Sequence, residues 1–291
     1  MTDPKFVASC SGGKDSVATL IVAAENNEPL DEAIFSEVMF DKTTSGEVPE
    51  HRDFVYDVLK PFCENEIGIK FNILHAEKTY DDVFHHIIVR GPHKGMVRGF
   101  AWPGMCAVNR DCKIPPIEKY KKSLSPNATT YVGIALDEPI RLARLEGTGK
   151  VSLLEKYKLT EADATALCAK YGLLSPIYEH CRRNGCWFCP NASDAELLHM
   201  IIHHPELFDR LIQWEQEDNI FHRRLTRRET PSEIKARLLA ANRMGISIYK
   251  GGQYGHKRSE YHSPQKGTDR TYNTAQAVAC PESADCLGPC L

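Results

Sequence analysis

Phe6-Val7-Ala8-Ser9-Cys10-Ser11-Gly12-Gly13-Lys14-Asp15-Ser16 decides how the rest of the chain is read. Residues 5–9 form a short extended run, and residues 17–24 are good helix formers, so the stretch reads strand, glycine loop, helix. A helix start carries N–H groups without intrahelical partners and a partial positive charge. Two glycines let the backbone approach an anion with no Cβ in the way. Ser11 and Ser16 add hydroxyl donors, and Lys14 adds a charge. Asp15 suits such a place as a helix cap or as a ligand to a magnesium ion that carries phosphates. Residues 11–16 are therefore expected to bind phosphate, although the string matches neither the Walker-type nor the dinucleotide fingerprint. The competing reading is an ordinary glycine turn before a capped helix.

Outward from this loop, further strands are expected over residues 32–40, 69–76 and 129–135, with helical spacing over 51–64. Strands alternating with helices predict a doubly wound α/β fold with a parallel sheet. Residues 91–113 are rich in Gly, Pro, Trp, Arg and Cys and show no period, so they read as a long functional loop. A helix is expected over 160–170, capped by Thr160 with Asp163 in its first turn and ended by Gly172. Residues 175–191 read as irregular. Ser193 and Glu196 form a capping box for a helix to about residue 202, and further helices follow over 205–217 and 232–244. The organisation expected is a nucleotide-binding domain over 1–175, a cysteine-bearing helical subdomain over 176–250, and a polar tail over 251–291. There is no internal repeat.

The chain has 291 residues, of which 42% are apolar, and a formal net charge of −3. The average charge gives no nucleic-acid signature, although it permits a local basic groove. No apolar run reaches the length of a membrane span and no apolar stretch follows a basic start, so a cytoplasmic protein is expected. Eleven cysteines point to metal or redox chemistry in a reducing compartment rather than to disulfides.

Cys186-x2-Cys189-Pro190 is a two-thiolate knuckle, and Cys106 and Cys112 offer a second pair from the irregular loop. Four such ligands suit either a [4Fe–4S] cluster or tetrahedral Zn2+, and Cys181 competes with Cys106 for the fourth place, giving Cys181-x4-Cys186-x2-Cys189 with Cys112. Cys10, Cys63 and Cys168 lie on apolar faces and are expected in the core. Cys280, Cys286 and Cys290 stand in the polar tail as a resolving or sulfur-carrying segment, a weak metal site, or silent residues. The basic run from His222 to Arg228 and that from Lys119 to Lys122 could neutralise RNA or DNA phosphates, and the rival reading is a solvated helix face. Trp187-Phe188 is expected to pack in the core. The pairs His85-His86 and His203-His204 have no evident partners in the sequence and read as structural or surface residues.

Residues 11–16 also match, residue for residue, the SGGxDS loop of the PP-loop ATP pyrophosphatases. Cys106-Ala-Val-Asn-Arg-Asp-Cys112-Lys113-Ile-Pro-Pro-Ile117, Tyr131-Val-Gly133-Ile-Ala-Leu-Asp137-Glu138-Pro-Ile-Arg141 and Gly185-Cys186-Trp-Phe-Cys189-Pro190 resemble the phosphoadenosine phosphosulfate (PAPS) reductase-like branch of that superfamily. The matching blocks span roughly residues 5–192. The resemblance implies a sheet of adenine nucleotide α-hydrolase type with the nucleotide at the carboxyl ends of the strands. It implies ATP and Mg2+ at Ser9 and residues 11–16, with Lys14 and Asp15 at the chemistry. It also implies adenine contacts around Met39 and Asp41, and active-site contacts from Asp137, Glu138 and Arg141. It favours an iron–sulfur centre over zinc, and activation of a substrate by adenylation with release of pyrophosphate, coupled to sulfur transfer. Possible acceptors are RNA, DNA or a small metabolite, and a sulfur donor or thiol reductant would complete the reaction. Two departures bear on the branch. The phosphate loop is of the intact ATP type, and the tail Ala284-Asp-Cys286-Leu-Gly-Pro-Cys290-Leu291 lacks the Glu-Cys-Gly motif of the reductases. The alternatives are a reductase of adenylyl sulfates acting through Cys286 or Cys290, and a non-catalytic, zinc-stabilised accessory protein that binds nucleotide or nucleic acid.

Overall fold

β1 (Phe6–Ser9) leads through the glycine loop into α1 (Lys14–Glu25), and β2 (Glu32–Glu37) returns beside β1 in parallel register, Val7 opposite Glu32. The computed structural model describes residues 5–104, 106–124, 128–182, 185–246 and 248. α2 (Pro49–Phe54) widens into π-type turns over Val55–Leu59 and Phe62–Ile67 before β3 (Lys70–His75) pairs with β2. α3 (Tyr80–Phe84), a short β4 (Val97–Gly99) and α4 (Ile114–Ser123) lie between β3 and β5 (Thr129–Val132). α5 (Pro139–Leu142) and β6 (Lys150–Val151) follow, then α6 (Leu153–Lys156) and α7 (Glu161–Lys170). Beyond them come α8 (Asp194–His203), α9 (Pro205–Glu215), β7 (Ile220–His222) and α10 (Pro231–Arg243).

The main sheet is parallel throughout, in the order β3-β2-β1-β5-β6. Alternation along β2 explains why both faces are covered. Ala33 and Phe35 enter a core with α1, the α2 turn region and Cys168 of α7, whereas Glu32 and Ser36 meet Tyr120 and the Lys113 carbonyl on the side of α4. The doubly wound α/β fold expected from the sequence is the one observed. A second core joins residues 38–112 to residues 177–238, so α8, α9 and α10 pack on the same apolar cluster as Phe40, Tyr80, Phe84 and Trp187. No helix among the described residues is long and apolar enough to cross a membrane.

Several expected elements are corrected. The second strand stops at Glu37, because residues 38–46 turn back on themselves through Phe40 N–H to the Thr44 carbonyl and Gly46 N–H to the Val38 carbonyl. The stretch 91–113 is not wholly irregular. It holds β4, which pairs with β7 over Val97–Ile220 and Gly99–His222, and a π-type turn at Asn109–Lys113. Three residues are too few to show a period of two, so only the distant partner reveals this strand. The basic residues after His222 lie in a loop beyond β7, not on a helix face. Cys280, Cys286 and Cys290, and the polar tail they belong to, lie outside the described residues.

Candidate nucleotide site and its cysteine neighbour

The strand order reverses between β1 and β5, and this places the loop after β1 beside the loop after β5 at the carboxyl edge of the sheet. Two glycines make the junction possible. Gly12 sits at φ +73°, and a Cβ there would lie 2.7 Å from Val55 Cγ2 and 2.9 Å from His51 Cε1. Gly133, just past β5, runs so close to α1 that a Cβ would lie 2.5 Å from the Ser16 amide nitrogen. The loop is fixed from within: the Ser11 amide donates to Ser16 Oγ (3.1 Å), and Ser16 Oγ donates to the Gly13 carbonyl (2.9 Å). His51 holds it from outside. Its Nε2 donates to the Ser11 carbonyl (2.9 Å), so its Nδ1 is left to accept from Ser175 Oγ (2.9 Å). Burial pushes the His51 pKa down, in keeping with this neutral tautomer. Gly13 caps α1 without a side-chain hydrogen bond, so apart from the Lys14 amide, which Tyr178 takes, the first turn points its amides at whatever lies in front of it.

The charged groups gather at that same place. Lys14 Nζ meets Asp15 Oδ1 at 2.8 Å and Glu161 Oε2 at 3.4 Å. Burial lowers the Lys14 pKa, but the carboxylates of Asp15 and Glu161 raise it above its ordinary value overall. Burial raises that of Asp15 despite Lys14. Oxygens of Asp15, Glu138 and Glu161 all lie within 4.8 Å of one another, a carboxylate set that suits a hard divalent cation. Arg141 forms an ion pair with Glu138 from the first turn of α5. Asp137 instead accepts the Glu161 amide (3.0 Å) and so fastens the start of α7. Asp41 is engaged by Thr43, Thr44 and Arg210, and the Met39 carbonyl accepts the Tyr80 amide, so both hold the turn after β2. Ser9 ends β1, paired with Ile34 and Val132.

Sequence reading missed two residues of this site. Glu161 directly follows the recognised cap Thr160, and nothing in its own neighbourhood points to Asp15 and Lys14. Tyr178 accepts a hydrogen bond from the Lys14 amide (3.0 Å) across 164 residues, and no local signal announces that. Burial pushes the Tyr178 pKa up, so its hydroxyl keeps its proton at neutral pH.

The cysteines are brought together in part. Cys181, Cys186 and Cys189 line one narrow cavity with Ile177 and His199. Burial pushes the Tyr80 hydroxyl pKa up, and Cys106, Cys186 and Cys189 lie near enough to add to the rise. Cys112 is buried on the π-type turn beside Cys106, and burial raises its pKa to about 12. No three thiols among the described residues fall within 4.8 Å of one another. Thiols around one cavity are the donor type of either a four-iron cluster or tetrahedral zinc. Cys10, Cys63 and Cys168 are buried in the core as expected, as are Trp187 and Phe188. The turn Pro176–Glu179 separates the two regions: Ile177 faces the thiols and Tyr178 the phosphate loop.

No protein-family model and no curated protein matches this chain. Among solved structures, the chain is similar to the U34-tRNA thiolase NcsA from Methanococcus maripaludis with its [4Fe-4S] cluster. The identity is 17%, the match covers 82% of this chain and 72% of that one, and the TM-score is 0.38. A likeness at that level bears no weight on the chemistry.

Histidines read as partnerless are not so. His204 and His199 both meet Glu50, and His85 meets Asp81 and Glu217. Far from the loop in sequence, Trp102 is half exposed and stacks on His222, with ring centroids 4.1 Å apart at 14°. The two rings line a cleft of about 620 Å3 with Arg223, Arg224 and Arg227.

Proposed function

We propose that this chain is an ATP-consuming enzyme that adenylates an acceptor oxygen and releases pyrophosphate, as the activating step of a sulfur transfer. The observation that carries the reading is the 11–16 loop, seated at the switch point with Gly12 and Gly133 clearing the space before α1. Its residue-for-residue likeness to the PP-loop supports ATP over another anion. The acceptor oxygen attacks the α-phosphorus, the bond to the bridging oxygen breaks, and pyrophosphate leaves. Lys14 turns from its carboxylate partners to phosphate oxygens, and Arg141 and the α1 amides stabilise the charge that develops. Asp15, Glu138 and Glu161 would hold Mg2+. Cys112, Cys186 and Cys189, with Cys106 or Cys181, would hold a [4Fe–4S] cluster, which when bound would supply thiophilic iron.

For the acceptor, a single-stranded RNA or DNA segment is favoured by the Trp102–His222 stack beside three arginines. A stacking platform with nearby guanidinium groups suits an unpaired base and its phosphates. The test incubates the full chain with Mg2+, ATP labelled at the α-phosphate, and single-stranded RNA or DNA. Pyrophosphate and a labelled acceptor are expected, with the rate falling ~100-fold or more in Lys14→Ala. Formation of ADP and phosphate would sink the adenylation reading. Sulfite released from adenylyl sulfate by thiol without ATP would favour the reductase instead.

A further inference from the structure

We propose that Glu50, His199 and His204 form a binding site for one divalent transition-metal ion, with zinc as the representative ion, distinct from the cysteines and from the nucleotide loop. Glu50 lies in the first turn of α2, His199 on α8, and His204 at the junction where α8 ends and α9 begins. The two imidazoles converge on one carboxylate oxygen: His199 Nε2 is 3.1 Å and His204 Nε2 2.9 Å from Glu50 Oε1. All three donors lie within 4.8 Å of one another. Ligands at Zn–N and Zn–O distances of ~2.1 Å stand ~3.4 Å apart in a tetrahedron. The two imidazole–carboxylate distances need to lengthen by only a few tenths of an ångström for an ion to enter.

One buried atom distinguishes a metal site from a plain ionic cluster. Glu50 Oε2 is buried and has no hydrogen-bond partner among the described residues. His199 itself is only 4% exposed, and its ring is held between those of His180 and His203, with centroids 5.1 and 4.7 Å away. A buried carboxylate oxygen without a donor is costly, and ligation of an ion by Glu50 removes that cost. Two nitrogens and one carboxylate oxygen are the donor set of open metal sites, which leave one position for water or another ligand. His199 also lines the cavity that holds Cys181, Cys186 and Cys189, so the ion stands on the wall of the thiol chamber. It ties α2 to the α8–α9 junction, and the next residue of α2, His51, holds the Ser11 carbonyl of the nucleotide loop. The inference stands whether or not that loop takes ATP.

The experiment adds Co2+ to the full chain after chelation and follows binding by visible absorption, with Zn2+ competition and metal analysis. One bound equivalent is expected with cobalt d–d absorption and without thiolate-to-cobalt charge transfer. His204→Gln and Glu50→Gln are each expected to weaken binding ~100-fold or more, since loss of an outer-shell partner alone costs 10–100-fold. Circular dichroism of the metal-free variants establishes their folding, and if His204→Gln does not fold, Glu50→Gln carries the same test. No bound metal, binding with thiolate charge transfer only, or unchanged affinity in the folded variants would overturn the proposal and leave an ionic staple between helices.

Discussion

Single residues at this site act mainly through what they leave out. Gly133 has no side chain, and α1 begins in the space a side chain would need. Gly133→Ala puts a Cβ 2.5 Å from the Ser16 nitrogen and 2.6 Å from the Asp15 carbonyl carbon, both backbone atoms that yield only if the loop shifts. The expected loss is ~1–3 kcal/mol of stability, the usual range for overpacking, with a matching loss of ATP affinity. A urea midpoint and a nucleotide titration check both, and wild-type values in each would refute the tight junction. Glycine pairs are visible in a sequence, whereas the closeness of Gly133 to α1 is not, because 117 residues (133 − 16) separate it from Ser16. The same holds for Tyr178, whose hydroxyl reaches the Lys14 amide from the other side of the chain.

At the scale of elements, one buried carboxylate organises the end of the sheet. Glu37 closes β2 and accepts from Ser45 Oγ (2.7 Å), Arg52 Nε (3.2 Å), Tyr56 OH (2.6 Å) and His75 Nε2 (2.7 Å). It thereby ties β2 to the following turn, to the α2 region and to β3. Glu37→Gln replaces an acceptor with a donor in that cluster, and a loss of about 1–3 kcal/mol is expected in the urea midpoint. An unchanged midpoint would mean that the four contacts contribute nothing net. Helix starts were much easier to read. The Thr160 cap and the Ser193–Glu196 box are present as expected, and Asp163 completes a box with Thr160 as well, because a cap is satisfied within four residues. The π-type turns after α2 and before α4 had no such local mark and depend on how their side chains pack.

The charge distribution of the whole molecule sets its response to pH. Burial opposes ionisation of Glu37, Asp41 and Glu50, yet their hydrogen-bond donors hold all three below the ordinary carboxylate range. Groups with depressed folded pKa values stabilise above the unfolded value of ~4 and lose that contribution as pH falls through the folded value. Burial also lowers the pKa of His51, His86, His180, His203 and His222, so the unfolded chain takes up protons first as pH drops below ~6.5. His85 and His204, raised by their acidic neighbours, act in the opposite sense: their stabilisation is full below ~6.5 and lost as pH rises through their folded values. With five histidines against two, and the carboxylates added at lower pH, stability is expected to rise from pH 3 to pH 7. Urea midpoints at pH 4, 5.5 and 7 measure it, and a maximum at pH 4 would contradict the assignment.

Local patterns in the chain were sufficient for the parallel α/β fold, the glycine loop between strand and helix, the helix caps and the core thiols, because each is settled by neighbours within about one turn or one strand. Tertiary structure alone decided the rest. It brought Glu138 and Glu161 to Asp15, put Trp102 against His222, and gave His199 and His204 a shared carboxylate. Those meetings join segments more than a hundred residues apart. Their energy comes from burial and pairing that exist only once the sheet and the second core have formed.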